Sequence, residues 1–145
     1  MPETDELLDA TTALIPPLLT ALDALRAAGR HMHPPMLAEL VDAIRPQHGG
    51  LVEGFDAFKN ATWPEHLETF VDCVNRSVGY ALRAFAQFEQ ALEAPQPAFI
   101  AYRAMGLTTK ATEALYPVAA MLPPVSRFYL EPQSRDNVEL LDRLA

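Results

Sequence analysis

The chain has little cysteine and few basic residues, and both scarcities limit what it can do. With Cys73 as its single cysteine, it can form no internal disulfide and none of the usual cysteine zinc sites, so nothing indicates an oxidising compartment. Eleven basic residues against 19 acidic ones give a net charge of -8, the wrong sign for neutralising phosphates. We therefore predict no nucleic-acid partner and no attraction to anionic membranes.

The chain also lacks the features of a leader sequence or a membrane anchor. Its first residues include Glu3, Asp5 and Glu6, where a secretory signal would carry Lys or Arg. The longest uncharged runs, 10–22 and 114–126, contain prolines and are shorter than the roughly 20 residues that cross a bilayer. We predict a cytoplasmic protein with no membrane span.

No set of residues converges on a reaction. None of the serines has the glycine flanks of a G-x-S-x-G nucleophile elbow; they are Ser77, Ser126 and Ser134. His31 and His33 form a lone H-x-H pair with no second ligand pair at helical spacing, so polar loop residues are a simpler interpretation than a metal site. We predict no catalytic residue, no cofactor and no metal, and hence no enzyme.

What the chain has in quantity is proline, 13 residues against only six glycines. Several prolines stand in pairs between apolar runs, and proline is tolerated in the first turn of a helix, where its missing N–H would be unpaired anyway. Each pair is therefore interpreted as a point where a helix kinks or restarts, and Pro46 as a helix end. The predicted segments are a helix from Thr4 to about Gly29 kinked at Pro16, helices 35–45 and 51–59 separated by a turn at 47–50, a helix 97–116, a helical turn 125–130 and a last helix 134–144.

One long helix, predicted at 62–94, organises the rest. Its apolar residues recur at alternating steps of four and three, which is typical of a helix with one buried face; they are Leu67, Val71, Val74, Val78, Ala81, Phe85, Phe88 and Leu92. Thr62 and Glu65 have capping-box spacing at its start, and Pro95 and Pro97 end it. With no strand pattern, the prediction is one all-α domain over residues 1–145, a bundle of about six helices around the central one.

Three sequence motifs carry a resemblance to a known group. They are His31-Met32-His33-Pro34-Pro35, Trp63-Pro64-Glu65-His66-Leu67, and Ala114-Leu115-Tyr116-Pro117 followed by residues 122–132 (LPPVSRFYLEP). Together they resemble the N-terminal helical region that precedes the catalytic domain in bacterial phospholipase/carboxylesterase-like serine hydrolases. The sequence contains none of the catalytic motifs of that group. The resemblance implies a non-catalytic accessory or interaction domain whose partner is an α/β-hydrolase domain, in cis or in trans.

The apolar segment between Met121 and Leu130 is the predicted docking surface for that partner. Large apolar side chains and one arginine surround two prolines there, a composition typical of interface centres; the candidate docking residues are Met121, Leu122, Val125, Arg127, Phe128, Tyr129 and Leu130. The same segment could instead fold back on the central helix and complete the core. An alternative function is a stand-alone bundle whose interior binds a small apolar ligand near Tyr80, Tyr102 and Met105.

Overall fold

The computed structural model describes residues 2–30 and 37–122. Across these two ranges the chain is helical and contains no strand, so the predicted all-α class is confirmed. The elements are α1 (Pro2–Arg30), α2 (Leu37–Asn60), a 3-10 turn (Glu65–Leu67), α3 (Glu68–Ala91), α4 (Pro97–Ala114) and a second 3-10 segment (Tyr116–Met121). The helices predicted at 125–130 and 134–144 lie outside the described residues.

The four α-helices form a bundle in which neighbours run antiparallel. In the contact between α1 and α2, Gly54 approaches Ala13 while Gly50 lies beside Pro17, so the residue numbers of the two helices run in opposite directions. The bundle is built from two hairpins, α1 with α2 and α3 with α4, and further contacts join α1 to α4 and α2 to α3. This is the up-and-down arrangement that short connections favour.

Helix α1 is one helix that continues through its proline pair, where a kink or a restart was predicted. A proline inside a helix removes one N–H and frees the carbonyl four residues earlier. For Pro16 and Pro17 those carbonyls belong to Thr12 and Ala13, both of which are exposed residues. The buried face of α1 meanwhile continues on both sides of the pair, since Leu14 and Leu18 are each fully buried. Packing of that face therefore holds the helix together where local preference would break it.

The predicted division of the second helix is wrong. α2 is one helix where two helices and a turn were predicted. It spans Leu37–Asn60 with Pro46 inside it, and none of the described glycines has a positive φ. Its buried residues keep steps of three, four and seven across the predicted turn; they are Leu37, Val41, Ile44, Leu51, Gly54 and Phe58. Burial of that single face against α1 outweighs the cost of one proline and two glycines in the helix.

The central helix α3 begins later than predicted and without the capping box. It spans Glu68–Ala91, and no side chain caps its first turn. Thr62 is exposed in the preceding loop. That loop is held by Trp63, whose Nε1 donates a hydrogen bond to the carbonyl of Phe58 at 2.9 Å and whose ring lies 4.5 Å from that of Phe58. Because the tryptophan contacts the end of α2, residues 61–64 form a loop and are not part of α3.

The buried face of α3 is rotated slightly from the predicted one. The middle of the predicted face is buried, from Val74 to Phe88, but Leu67 and Val71 are only half-buried and Leu92 is exposed. The small and flanking residues fill the core instead; they are Phe70, Cys73, Ser77, Ala84 and Ala91. Apart from Phe70, these side chains are small, which allows α4 to pack closely.

Helix α4 presents small and threonine side chains to α3. Its buried residues are Ala101, Ala104, Thr108, Ala111 and Thr112. The hydroxyl of Thr108 donates to the carbonyl of Ala104 at 2.9 Å, and that of Thr112 donates to the carbonyl of Thr108 at 3.1 Å. These bonds within the helix satisfy the buried hydroxyls, so the threonine-rich half of α4 is helical as predicted.

Candidate binding groove

A surface groove of about 390 Å³ lies between α2 and α3. Its size falls in the range of small-molecule sites. The groove is lined by four residues from each helix, namely Ile44, Arg45, His48 and Gly49 of α2 and Leu82, Phe85, Ala86 and Glu89 of α3. Each set has the spacing of one helix face, so the two continuous helices place all eight residues side by side.

The floor of the groove is apolar because it is formed by residues at the edge of the core. Ile44 and Phe85 are buried, and Leu82 is half-buried against the same core. Two small residues keep the space open above them. Gly49 has no side chain, and a Cβ placed on it would meet no atom within 4 Å, while Ala86 is exposed and extends no further than its methyl group. The groove thus exists because both helices carry a small residue at their outer edge.

One end of the groove is charged. Arg45 donates from Nε to Oε1 of Glu89 at 2.6 Å and from Nη2 to Oε2 at 3.0 Å, a bidentate pair between α2 and α3. Its Nη1 also donates to Asp42, one turn earlier on α2. Asp42 does not itself line the groove. Two carboxylates therefore meet one guanidinium at and just beyond this end, and the three side chains together carry one net negative charge.

The bidentate contact shifts the pKa of both partners. Its hydrogen bonds and positive charge lower the pKa of Glu89 from its ordinary value, so the carboxyl stays ionised. The hydrogen bonds that Arg45 donates to Glu89 likewise raise the pKa of Arg45. Both side chains are about half exposed, and solvent therefore screens their attraction. The pair therefore mainly fixes the positions of the two charged groups at the rim of the groove and contributes little to the stability of the fold.

An aromatic contact lies in the middle of the groove. The ring of His48 meets that of Phe85 edge-on, with 5.1 Å between centroids, a geometry that aromatic pairs favour. The imidazole is exposed while the phenyl ring is buried. Along the groove, the order is therefore a charged end at Arg45 and Glu89, an imidazole at the centre, and an uncharged end at Gly49 and Leu82.

The predicted docking segment lies mostly outside the described residues. Of its candidates, Val125, Arg127, Phe128, Tyr129 and Leu130 all fall in the undescribed range. The two described residues differ: Met121 is 55% exposed, whereas Leu122 is 3% exposed and belongs to the core.

One of the three residues proposed to surround an interior ligand lies outside the interior. Tyr102 is 73% exposed on the outer side of α4, away from the core. Tyr80 and Met105 are half-buried and pack against the core cluster. The groove between α2 and α3 is lined by other residues, and sequence reasoning missed it because it divided α2 at Pro46. Read as one helix, α2 places Ile44, Arg45, His48 and Gly49 on a single face.

The histidine, cysteine and serine positions named from the sequence lie only partly within residues 2–30 and 37–122. No group of three or more His, Cys, Asp or Glu side chains there could hold a metal ion. Cys73 is buried in the core, and Ser77 is fully buried with no hydrogen-bond partner for its hydroxyl. His31 and His33 lie outside the described residues.

The outer face of α4 carries an exposed aromatic patch. Phe99 and Tyr102 are 55% and 73% exposed and stand one turn apart. The guanidinium carbon of Arg103 lies 4.8 Å from the centroid of the Phe99 ring, within the range of a cation–π contact. We call Phe99, Tyr102 and Arg103 the α4 patch.

Helix α1 contains a stretch that also meets the length and composition criteria of a membrane span. Residues Glu6–Ala28 are the one such stretch among the described residues. Core helices of soluble proteins and signal sequences meet the same criteria. In α1 the apolar residues of one face are buried against the bundle, among them Leu14, Leu18 and Leu25, while Leu8 is exposed. The predicted absence of a membrane span stays a prediction.

Comparisons of the chain with protein-family models, curated proteins and solved structures found no match.

Proposed function

We propose that the chain is a non-catalytic helical interaction domain that packs on a phospholipase/carboxylesterase-like serine hydrolase, in cis or in trans. The observation that carries this proposal is the α4 patch. Phe99 and Tyr102 are each more than half exposed on one face of a helix, and aromatic residues and arginine are enriched at interface centres. The sequence motifs that resemble the helical region ahead of such hydrolases supply the class of partner. The net acidity and the single cysteine favour action in the cytoplasm.

Two surfaces are candidates for the contact, and they lie at different places in the chain. The α4 patch lies within the residues that the structure describes. The segment from Met121 to Leu130 is the one proposed from the sequence, and it begins with an exposed methionine. Burying an aromatic side chain at the centre of an interface contributes about 2 kcal/mol or more.

The test starts from the reading frame that follows Ala145 and from the neighbouring gene. A hydrolase carrying G-x-S-x-G there would be produced as a separate domain and titrated with the purified chain by calorimetry. We expect binding, and Tyr102→Asp or Phe128→Asp should weaken it by about 2 kcal/mol or more, which is roughly 30-fold in Kd. The variant that weakens binding identifies the surface.

A matched control separates surface charge from contact. Leu8→Asp introduces the same charge at an exposed residue of α1 and should leave the affinity unchanged. Thermal unfolding of each variant checks that it still folds, because a large drop for Phe128→Asp would assign that residue to the core. A hydrolase that does not bind the chain contradicts the proposal, and so does equal binding by all three variants.

The non-catalytic part of the proposal has its own assay. The purified chain should hydrolyse short-chain p-nitrophenyl esters no faster than the buffer does, because the sequence contains no recognisable combination of nucleophile, base and oxyanion donors. Ser126→Ala should change nothing. Ester turnover by the chain that disappears in Ser126→Ala would show that it is an enzyme.

A second candidate function is a stand-alone bundle that binds a small apolar ligand. The specific observation in its favour is the groove between α2 and α3, with its apolar floor of Ile44, Leu82 and Phe85. Apolar lining with a few polar groups at the edge is typical of ligand sites. This site replaces the interior position near Tyr102 that the sequence suggested.

A further inference from the structure

We propose that the groove between α2 and α3 selects amphipathic ligands with a cationic head, of the alkylammonium class. The inference deepens the second candidate function and rests on it, since it names the ligand chemistry of the same groove. It is carried by the order of the lining residues, which are charged at one end and apolar at the other.

The antiparallel helices create this order. Arg45 of α2 faces Glu89 of α3 through two hydrogen bonds, and His48 faces Phe85 one turn further along α2. Continuing in the same direction leads to Gly49 on α2 and Leu82 on α3, both of which line the groove. A ligand lying along the groove therefore meets charges at one end and an uncharged end at the other.

The dimensions suit a medium-length alkyl chain. From Leu82 to Glu89 the groove follows α3 for seven residues, which is about 10 Å at 1.5 Å per residue. An extended octyl group covers that distance. Its methylene groups would lie over Phe85 and Ile44, replacing water on the apolar floor, and its end would reach the space above Gly49.

The charges decide which head group is favoured. The guanidinium of Arg45 already donates to both oxygens of Glu89 and to Asp42, so it is committed to two carboxylates. An anionic head would have to compete with both of them. An ammonium head instead adds the second positive charge that the two carboxylates lack, and it brings N–H donors to oxygens that still have free lone pairs. The net charge of -8 on the whole chain acts in the same direction.

Glycine at position 49 provides a way to close the groove without disturbing the core. Because a Cβ there would meet no atom within 4 Å, Gly49→Leu can be accommodated, and leucine is also the better helix former. The added side chain would occupy the uncharged end. Gly106 on α4 is the matched control, since it is exposed and likewise has nothing within 4 Å of its Cβ position.

The experiment is a titration of the isotope-labelled chain with three octyl probes, n-octylammonium chloride, 1-octanol and sodium octanoate, followed by two-dimensional amide NMR below their micellar concentrations. We expect shifts of the backbone signals of residues 44–49 and 82–89, with octylammonium binding at least about threefold tighter than octanol and octanoate weakest. Gly49→Leu should abolish these shifts and Gly106→Leu should keep them. Asp42→Asn should reduce the preference for octylammonium over octanol.

The other possible outcomes each contradict part of the proposal. If octanoate binds as tightly as octylammonium, the head-group selectivity is wrong while the groove remains a ligand site. If none of the probes shifts the groove signals, or if Gly49→Leu leaves the shifts unchanged, the groove is not the site and the second candidate function falls with it. The hydrolase partnership is tested by a separate binding experiment and does not depend on this result.

Discussion

Gly54 of α2 lies against the backbone of Ala13 in α1, closer than any other residue type would allow. A Cβ placed on Gly54 would overlap the carbonyl oxygen of Ala13 and would lie 2.9 Å from the Cα of Leu14. Both are backbone atoms of α1, so they cannot turn aside as a flexible side chain could. The separation of the two helices therefore depends on this glycine.

We predict that Gly54→Ala destabilises the chain. Forcing the two backbones apart should cost about 2 kcal/mol or more, which exceeds the gain of about 1 kcal/mol in helix preference. Gly79→Ala is the control, because nothing lies within 4 Å of its Cβ position, and it should stabilise the chain by about 0.5–1 kcal/mol. Urea unfolding of both variants measures the difference. Changes of the same sign would contradict the close contact between α1 and α2.

Phe85 on α3 tests the buried face of the central helix. Its side chain is 4% exposed, while Arg83 two residues earlier is exposed. Phe85→Ala should cost about 3–5 kcal/mol through lost burial and a new cavity, a large share of the stability of a domain this size. Arg83→Ala should have little effect. Equal changes in the thermal unfolding midpoint would show that the assignment of the buried face is wrong.

Ser77 provides a prediction in the opposite direction. Its hydroxyl is fully buried on α3 and has no hydrogen-bond partner among the described residues, and an unpaired buried hydroxyl costs about 1–3 kcal/mol. Ser77→Ala should therefore raise the unfolding midpoint by a few degrees. Thr108→Val, which removes a hydroxyl that donates to Ala104 at 2.9 Å, should not raise it. Calorimetry compares the two, and destabilisation by Ser77→Ala would mean that its hydroxyl has a partner in solution.

The pair of Arg45 and Glu89 predicts how one contribution to stability changes with pH. Its hydrogen bonds lower the pKa of Glu89 below the ordinary 4.5, so at acidic pH the unfolded chain binds the proton more readily than the folded chain does. The stabilisation is therefore present above that ordinary value and is lost as the pH falls through the lower pKa of the folded state. Its size is modest because both side chains are about half exposed.

Glu89→Gln should consequently lower the unfolding midpoint at neutral pH and have little effect once the carboxyl is protonated. Glu93→Gln is the control, since Glu93 is an exposed carboxylate outside the pair, and it corrects for the titration of other acidic groups. High salt should shrink the effect of Glu89→Gln through screening. A pH-independent effect would mean that the ion pair is not formed in solution.

The sequence predicted the helical class and the middle of the central helix correctly, and the reason is periodicity. From Val74 to Phe88 the apolar residues keep the spacing of one helix face, and the structure buries that face. Such spacing records which side of a helix leaves water. The same periodicity is present in α2, where buried positions continue past Pro46 to Phe58, but proline and two glycines locally favour a break in the helix there.

The boundaries of α3 could not be found in the same way. Thr62 and Glu65 have the spacing of a capping box, yet the structure leaves them outside the helix because Trp63 packs on Phe58 and donates a hydrogen bond to its carbonyl. That contact joins the loop to the end of α2. Its formation depends on where α2 ends, which the residues at the start of α3 do not specify.

The sequence by itself determined that the chain is helical, acidic and without a recognisable catalytic motif, because composition and short-range spacing are properties of neighbouring residues. Only the tertiary structure decided that Arg45 meets Glu89, that Gly54 lets α2 approach α1, and that a groove remains between α2 and α3. These features depend on which faces of separate helices meet. The free energy that selects them comes from burying apolar side chains across the whole bundle, and no single segment contains that information.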